Sequence, residues 1–316
     1  MKHIISVTIL ILAGIQLAHA ASGRIFVTNE RSNDISVIDG TTLEVERTIE
    51  VGDRPRGIGI SPDGAELYVA VSEENAIAVI DLGTLEVLRK FQAGSDPETF
   101  AVHPNGNIYI SNEDDAKASA FDPRTGEQVM EVGVGLEPEG VAISPDGKHV
   151  IITSESTNML HVIQVPEHTI VANILVGARP RAATFTSDSK TAYSTSEISG
   201  EVKKVDMTTF EVVGVQKIAD EKAKPKDVIL NKDETKLYVA GGRANQVIVM
   251  DAETMEVIEG IPVGKRVWGL TMTKDGSKVF STDGVSGTVS VIDTAKDEVI
   301  KTIEVGKFPW GVVIDD

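Results

Sequence analysis

The chain has 316 residues, of which 41% are hydrophobic and 25% are charged, and it contains no Cys. Thirty Lys and Arg against 48 Asp and Glu give a net charge of −18, which disfavours general attraction to nucleic acid or to an anionic membrane surface. The lack of Cys excludes disulfides, Cys-ligated zinc or iron–sulfur sites, covalently attached c-type haem and a thiol nucleophile. We therefore expect an acidic globular protein.

The first twenty residues have the features of a secretory signal peptide. A polar start at Lys2 is followed by an almost unbroken apolar run over residues 4–17 and by Ala-His-Ala at 18–20, the small-x-small pattern that signal peptidase cleaves. A membrane anchor is the alternative, but the run is shorter than the roughly 20 residues that span a bilayer. We predict that residues 1–20 are removed and that residues 21–316 are periplasmic, without membrane insertion.

A repeat of about 42 residues runs through the rest of the chain. Its clearest marker is an apolar residue followed by Asp, at Ile38-Asp39, Ile80-Asp81, Phe121-Asp122, Val205-Asp206, Met250-Asp251 and Ile292-Asp293, with Ile163-Gln164 as the variant. The successive spacings are 42, 41, 42, 42, 45 and 42 residues. A Ser-Pro-Asp-Gly turn, as at residues 61–64, and a Val-Gly-x-x-Pro loop, as at residues 51–55, keep the same phase. The repeat indicates a fold built from one recurring unit.

Each unit contains four short runs in which apolar and polar residues alternate, as β-strands do. In the first continuous unit these runs are residues 57–60, 66–71, 76–80 and 87–93. No window has a helical apolar period of comparable strength. Four short antiparallel strands, repeated about every 40–45 residues, are typical of a β-propeller blade.

The two ends of the repeat region predict how the ring closes. Residues 24–27 correspond to the second strand of a unit and residues 311–315 to the first, so they should pair in one shared blade. The fold class predicted is all-β: a seven-bladed β-propeller of four-stranded antiparallel blades. The predicted blades are 21–51 with 307–316, 54–93, 96–134, 137–176, 179–220, 224–263 and 266–305. The longest spacing adds three residues in the polar stretch 219–224, which we expect to bulge from the rim.

The units resemble the YVTN β-propeller repeat. The likeness is carried by Leu-Tyr-Val-Ala at residues 67–70, Ser-Pro-Asp-Gly at 61–64 and Val-Ile-Asp at 79–81, and it covers essentially all of residues 24–316. Seven such repeats behind a signal peptide look most like the bacterial β-propeller proteins associated with catabolism that depends on pyrroloquinoline quinone (PQQ). The resemblance implies an exported, non-catalytic accessory protein of PQQ-dependent alcohol catabolism. Its implied partners are a PQQ-dependent dehydrogenase or a component of an ABC transporter.

The loops that lead into the innermost strands predict a ring of charged and aromatic residues. The residues that flank the Pro position are, in ring order, Arg54 and Arg56, Asp96 and Glu98, Glu137 and Glu139, Arg179 and Arg181, Lys224 and Lys226, Arg266 and Trp268, and Phe308 and Trp310. Carboxylates recur in the loops between second and third strands, at Glu30, Glu73, Glu113, Glu155 and Glu197. Both sets of loops should lie on one face of the propeller, so we expect the acidic ring to meet the basic loops at the mouth of the channel.

Two interpretations of this ring stay open. In the first, the cations pair with the acidic ring and tie blade to blade, while the tryptophans cap the packing between blades. In the second, the mouth binds a small organic anion, whose carboxylates meet the cations and whose planar ring stacks on tryptophan. The candidate ligand-binding residues are Arg56, Arg181, Lys226, Arg266, Trp268 and Trp310. PQQ, an aromatic tricarboxylate, is the ligand that the resemblance adds, and no other cofactor is indicated.

The sequence lacks the motifs of known catalytic and metal sites. His103, His149, His161 and His168 have no metal-binding spacing, and neither a Gly-x-Ser-x-Gly elbow nor a phosphate-binding Gly-rich loop occurs. We therefore assign no catalytic residue and no metal site. One alternative is a propeller enzyme of the lactonase, lyase or d1-haem type, for which His103 is the candidate axial ligand. The other alternative is a surface interaction scaffold.

Overall fold

The computed structural model describes residues 21–316, so the predicted signal peptide lies outside the described residues. Within this range the chain forms 28 β-strands in seven four-stranded sheets, with short 3-10 turns at Ser72–Glu74 and Gly242–Ala244. The predicted all-β, seven-bladed propeller is confirmed. In the same range no helix is both long enough and apolar enough to cross a membrane.

The strands follow one another in chain order, four to a blade. Blade 1 begins with β1 (Arg24–Asn29), β2 (Asp34–Asp39) and β3 (Glu44–Glu50). Blade 2 holds β4 (Pro55–Ile60), β5 (Glu66–Val71), β6 (Ala76–Asp81) and β7 (Val87–Gln92), and blade 3 holds β8 (Pro97–Val102), β9 (Ile108–Asn112), β10 (Lys117–Asp122) and β11 (Glu127–Gly133). Blade 4 holds β12 (Pro138–Ile143), β13 (His149–Ser154), β14 (Met159–Gln164) and β15 (Thr169–Leu175).

The remaining blades keep this order. Blade 5 holds β16 (Pro180–Phe185), β17 (Thr191–Ser196), β18 (Glu201–Asp206) and β19 (Glu211–Lys217), and blade 6 holds β20 (Val228–Leu230), β21 (Lys236–Ala240), β22 (Gln246–Asp251) and β23 (Val257–Pro262). Blade 7 holds β24 (Val267–Met272), β25 (Lys278–Asp283), β26 (Thr288–Asp293) and β27 (Glu298–Glu304), after which β28 (Pro309–Ile314) returns to blade 1. The first strand of each blade is the innermost in the ring, and β28 has this place in blade 1.

The repeat markers correspond to turns that side chains stabilise. In blade 1 the carboxylate of Asp39 accepts hydrogen bonds from the backbone N–H groups of Thr41 and Thr42, at 2.9 and 2.7 Å. Asp and Asn favour such turns because their short side chains can bond to the backbone a few residues on. The following Leu43 has a φ of 56°, so the chain reverses there into the outer strand. The Ile-Asp marker therefore records the turn between the third and fourth strands.

Ring closure joins the two ends of the described chain. Strand β1 pairs with β28 in antiparallel register, with Ile25 opposite Ile314 and Val27 opposite Val312. The Ser22 hydroxyl also donates a hydrogen bond to the Asp315 carboxylate at 2.6 Å. The predicted pairing of the terminal strands is thus confirmed, and it covers the edges that both strands would otherwise expose.

The hydrophobic core lies between the blades. The described residues form seven apolar clusters, and each cluster joins two neighbouring blades, so that every junction in the ring has its own packed core.

At the junction of blades 5 and 6 the extra residues of the longest repeat differ in their exposure: residues 219–222 are exposed, whereas Ala223 is buried in the cluster. The inner strand that follows, β20, has only three residues. Blade 6 therefore departs from the regular blade at its inner end.

Candidate functional site

Each inner strand begins at the mouth of the channel with a tight loop. The residue before the Pro position has a left-handed backbone in six of the seven loops, with φ between 41° and 62°, at Arg54, Asp96, Glu137, Arg179, Arg266 and Phe308. In these six loops the next two residues begin the inner strand, whereas in blade 6 the strand begins only at Val228. Each blade thus places one charged or aromatic residue at the mouth. These are Arg56, Glu98, Glu139, Arg181, Lys226, Trp268 and Trp310.

Hydroxyl groups of the preceding blade hold the backbone of these mouth residues. The hydroxyl of Thr28 donates to the carbonyl of Arg56 at 2.7 Å, and Thr195 and Thr282 bond in the same way to Lys226 and Trp310, both at 2.7 Å. Thr153 donates to Arg181 at 3.3 Å and Ser111 to Glu139 at 2.5 Å. Sequence reasoning missed this set, although a hydroxyl residue recurs near the end of the second strand in five repeats. The bonds fix the positions of the mouth residues from the blade behind.

Blades 1 to 3 form one charge network at the mouth. Arg54 contacts Asp96 at 3.0 Å, Glu98 at 3.2 Å and Glu30 at 3.5 Å. Arg56 contacts Glu30 at 3.2 Å and also pairs with Glu98, which is fully buried. Both arginines therefore bridge carboxylates from two different blades.

Blades 4 to 6 form a second network around Arg181, which is only 6% exposed. Its guanidinium donates to Glu139 at 2.5 Å and pairs with Glu155. Glu197 lies 2.6 Å from the Lys226 ammonium and 3.7 Å from Arg181. Burial and the nearby Arg181 charge lower the pKa of Lys226 to about 7, against the opposing effect of Glu197. Although burial acts to raise it, Lys226 and Arg181 hold the pKa of Glu197 below its usual value.

A third group of carboxylates lies in blade 3. Oxygens of Asp96, Glu98 and Glu113 come within 4.8 Å of one another, a spacing that could hold a metal ion. Arg54 and Arg56 already pair with two of these three side chains, which compensates much of the charge that a cation would meet. Burial, followed by the charges of Glu139 and Asp96, raises the pKa of Glu113.

Glu73 differs from the other four members of the predicted acidic ring. It lies exposed on the 3-10 turn Ser72–Glu74, whereas the position equivalent to Glu30 is taken by the buried Ser72. The Ser72 hydroxyl donates to the carbonyl of Pro97 at 2.7 Å. Among residues 21–316, Glu73 takes part in no ion pair of the mouth networks.

The mouth has an open sector at blades 6 and 7. The positions equivalent to the ring glutamates are Gly242 and Gly284 there, so these two blades supply no ring carboxylate. Within the described part of the chain, Lys224, Arg243 and Arg266 take part in no ion pair. Burial and the neighbouring Arg243 charge lower the pKa of Arg266. The cations of this sector thus have no ion-pair partner among the described residues, in contrast to those of the networks on either side.

The two tryptophans stack beside this sector. The ring centroids of Trp268 and Trp310 are 6.3 Å apart with an interplanar angle of 27°. The Lys226 ammonium lies 4.3 Å from the Trp268 ring centroid and the Arg266 guanidinium 5.0 Å from it, while Arg56 lies 5.7 Å from Trp310. Gly284 makes room for this arrangement, because a Cβ there would lie 2.6 Å from Cδ1 of Trp268. The buried indole nitrogen of Trp310 has no hydrogen-bond partner.

A cavity of about 190 Å³ continues from the mouth into the channel. Its lining includes Glu139, Arg181, Lys226, Trp268 and Trp310 from the mouth, so five side chains of the ring converge on one space. Deeper lining comes from small and apolar residues of the inner strands, together with Asp227. Sequence reasoning did not select Asp227 or Arg243, although both depart from their equivalents in other repeats.

The structure places all six candidate ligand-binding residues at the mouth. Arg181, Lys226 and Arg266 lie around Trp268, and Arg56 lies beside Trp310. Arg56, Arg181 and Lys226 also take part in the blade-bridging networks, as the first interpretation of the ring requires. Arg266 does not. His103 lies in the turn between β8 and β9, at the other end of the inner strand, where its Nε2 atom contacts the carbonyl of Gly147 at 2.8 Å.

Comparison with known proteins places the chain in a family. The sequence profile of the choice-of-anchor I domain matches residues 93–289. The chain belongs to the choice-of-anchor I domain family. The match covers the greater part of blades 3 to 7 in this choice-of-anchor I protein, while the ring is completed by blades 1 and 2.

Curated relatives of this choice-of-anchor I protein support the same fold. The chain is 29% identical to antigen Lp49 of Leptospira interrogans over 143 residues, which are 42% of this chain and 31% of the antigen. It is 26% identical over 167 residues to the seven-bladed β-propeller protein Rv1057 of Mycobacterium tuberculosis, covering 51% of this chain and 42% of that protein. The matches thus span less than half the length of either relative.

Solved structures share the propeller at low sequence identity. A chain of hydrazine synthase from Kuenenia stuttgartiensis superposes with a TM-score of 0.79 and 19% identity, covering 90% of this chain and 99% of that one. A protein of unknown function from Desulfotomaculum acetoxidans gives 0.81 and 15%, covering 93% and 99%. The dihydro-haem d1 dehydrogenase NirN gives 0.70 and 14%, covering 95% and 76%. These likenesses show the fold alone. Membership of the PQQ-associated propeller proteins stays a prediction.

Proposed function

We propose that this propeller is an exported, non-catalytic binding protein and that its channel mouth holds a small planar organic anion. One observation carries the proposal: the stacked pair Trp268 and Trp310 adjoins Arg266, a cation without an acidic partner among residues 21–316. An aromatic face attracts the planar part of a ligand, and an arginine fork matches a carboxylate through two parallel hydrogen bonds. Together they fit an aromatic carboxylate.

Ion pairs between blades account for most of the charged residues at the mouth, but not for the cations in the sector of blades 6 and 7. In blades 2 and 5 the mouth arginines, such as Arg54 and Arg181, pair with carboxylates of neighbouring blades, so their charges are already compensated. In blades 6 and 7 glycine replaces the ring carboxylates, and Lys224, Arg243 and Arg266 keep their charge. An anionic ligand would compensate this charge.

The ligand that we propose is PQQ, because it combines a planar ring system with three carboxylates. The cavity of about 190 Å³ is smaller than the roughly 300–1,000 Å³ of typical ligand pockets, so only one edge of such a ligand would enter it. The rest would lie across the mouth, towards Arg266 and Arg243. In this proposal the protein acts in the periplasm and presents its ligand to a PQQ-dependent dehydrogenase or a transporter component.

Isothermal titration of residues 21–316 tests the proposal. We expect saturable binding of PQQ and weaker binding of citrate, a tricarboxylate without a ring that could stack. Arg266→Gln and Trp310→Phe should each weaken PQQ binding about tenfold, as expected for the loss of a charged hydrogen bond or of stacking. Arg124→Gln, at a side chain that is 80% exposed in an outer turn, is the matched control and should have no effect. Absence of saturable PQQ binding, or binding that is equal in all variants, would refute the proposal.

A further inference from the structure

One position of the inner strands differs in blade 6. The second residue after the Pro position is small or short in the other six blades: Gly57, Thr99, Gly140, Ala182, Gly269 and Gly311. In blade 6 it is Asp227, just before the shortened strand β20. This register position lines the channel cavity below the mouth, so the substitution puts a carboxylate where the ring otherwise has little or no side chain.

The contacts of Asp227 leave part of its carboxylate unused. Oδ1 accepts a hydrogen bond from the N–H of Val228 and Oδ2 accepts one from the N–H of Leu270 in blade 7, both at 2.8 Å. A carboxylate has about four lone-pair sites, so about two remain. In the described chain no cation pairs with it, because the neighbouring Lys226 directs its ammonium towards Glu197.

A carboxylate that lines a channel without a cation partner is energetically unfavourable even when two backbone N–H groups donate to it, and a further donor would lower this cost. Burial raises the pKa of Asp227 to about 6, which reflects the same cost. The side chain lines the same cavity as Trp268 and Trp310, so a molecule held by the tryptophans is within reach of it. A ligand that enters from the mouth could therefore supply the further hydrogen-bond donor to the Asp227 carboxylate.

We propose that Asp227 is a second recognition point of the mouth site and accepts a hydrogen bond from an N–H or O–H group on the ligand edge that enters the channel. The ligand class is then an aromatic acid with its carboxylate on one edge, towards Arg266, and a donor on the other. This inference rests on the proposed function of the mouth. It adds selectivity for a donor, which neither stacking nor the cationic sector supplies.

A matched pair of small acids tests the inference by isothermal titration. Indole-5-carboxylate carries an N–H where 1-benzofuran-5-carboxylate carries an ether oxygen, and the two are otherwise similar in shape and charge. We expect residues 21–316 to bind the indole acid about tenfold more tightly, the effect of one hydrogen bond to a charged group. Asp227→Ala and Asp227→Gly, which introduce residues that other blades carry here, should abolish this preference. The affinity for the benzofuran acid should not fall in these variants, because its ether oxygen donates no hydrogen bond to Asp227. Asp114→Ala, on an exposed loop, should keep the preference.

The outcomes separate this inference from the proposed function. Equal affinity of the wild-type protein for both acids, or a preference that survives in both Asp227 variants, would overturn the inference while the mouth remains an anion site. Failure of the wild-type protein to bind either acid or PQQ would overturn both. The comparison of the two acids on the wild-type protein needs no variant, so a misfolded variant does not weaken the test.

Discussion

Replacement of Asp227 by Asn should stabilise the propeller at pH 8 and destabilise it slightly at pH 4. Burial raises the pKa of this carboxylate from 3.8 to about 6, and a difference of one in pKa corresponds to about 1.4 kcal/mol. The charged form therefore lowers the free energy of unfolding by about 3 kcal/mol above pH 6. The amide removes this cost, but it can accept only one of the two backbone hydrogen bonds. The lost bond lowers the free energy of unfolding of the variant by about 1 kcal/mol. The net gain expected is about 2 kcal/mol at pH 8.

The sign of the pH dependence follows from proton uptake. Between pH 3.8 and about 6 the folded protein binds more protons at Asp227 than the unfolded chain, so the cost of the carboxylate disappears as the pH falls through this window. At pH 4 only the lost hydrogen bond remains, and the variant should be the less stable protein by about 1 kcal/mol.

Calorimetric melting temperatures at pH 8, 6 and 4 measure the effect. For a domain of this size 1 kcal/mol shifts the melting temperature by about 2 °C, so the variant should melt about 4 °C higher at pH 8 and about 2 °C lower at pH 4. Asp114→Asn, on an exposed loop, is the control and should follow the wild-type protein. A difference between Asp227→Asn and wild type that stays constant across this pH range would show that no desolvated carboxylate is present at residue 227.

Three further substitutions test the mouth and the ring. Glu197→Gln should lower the free energy of unfolding in urea at pH 6 by about 3 kcal/mol, because it leaves the buried Lys226 ammonium, 2.6 Å away, without its carboxylate. The loss should be smaller at pH 9, where Lys226, with a pKa lowered to about 7 by burial, is largely neutral. Thr28→Val keeps the shape but removes the hydroxyl that bonds across the closing blade, so we expect a loss of about 1–3 kcal/mol by calorimetry. Gly284→Ala should displace the Trp268 indole, since the new Cβ would lie 2.6 Å from it, and should change the tryptophan emission spectrum and weaken PQQ binding.

The sequence predicted the fold well because a propeller repeats the same local chemistry in every blade. The Asp at the end of each third strand, as at Asp39, forms a turn with its own neighbours, so its spacing reports the blade directly. Ring closure was also predictable, since the strands at the two ends supply complementary parts of one unit and pair as expected. These features depend on residues that are close in sequence or equivalent by symmetry.

The pairing of charges at the mouth was less predictable, because it depends on contacts across blades. Glu73 is an example of a residue that periodicity placed wrongly in the ring. It lies one residue beyond the ring position in its repeat, so its side chain is exposed at the surface and does not join the mouth networks. Periodicity also gave no means of separating Arg266 from Arg181, since both occur in equivalent loops. Only the structure shows that Arg181 is held by two carboxylates of the neighbouring blade 4 while Arg266 is not held in this way.

The departures from the repeat concentrate in one sector of the ring. Blade 6 has a longer entry loop, a three-residue inner strand and Asp227, and the ring carboxylates are replaced by Gly242 and Gly284 in blades 6 and 7. Several of these features oppose stability: an unpaired carboxylate is desolvated, and cations are left without partners. A ring that only needed to close could use the regular residues here, as the other blades do. Of these departures, Asp227 lines the same cavity as the tryptophan pair and Gly284 leaves room for the Trp268 indole, so both adjoin the site for which we propose ligand binding, whereas neither adds an ion pair between blades.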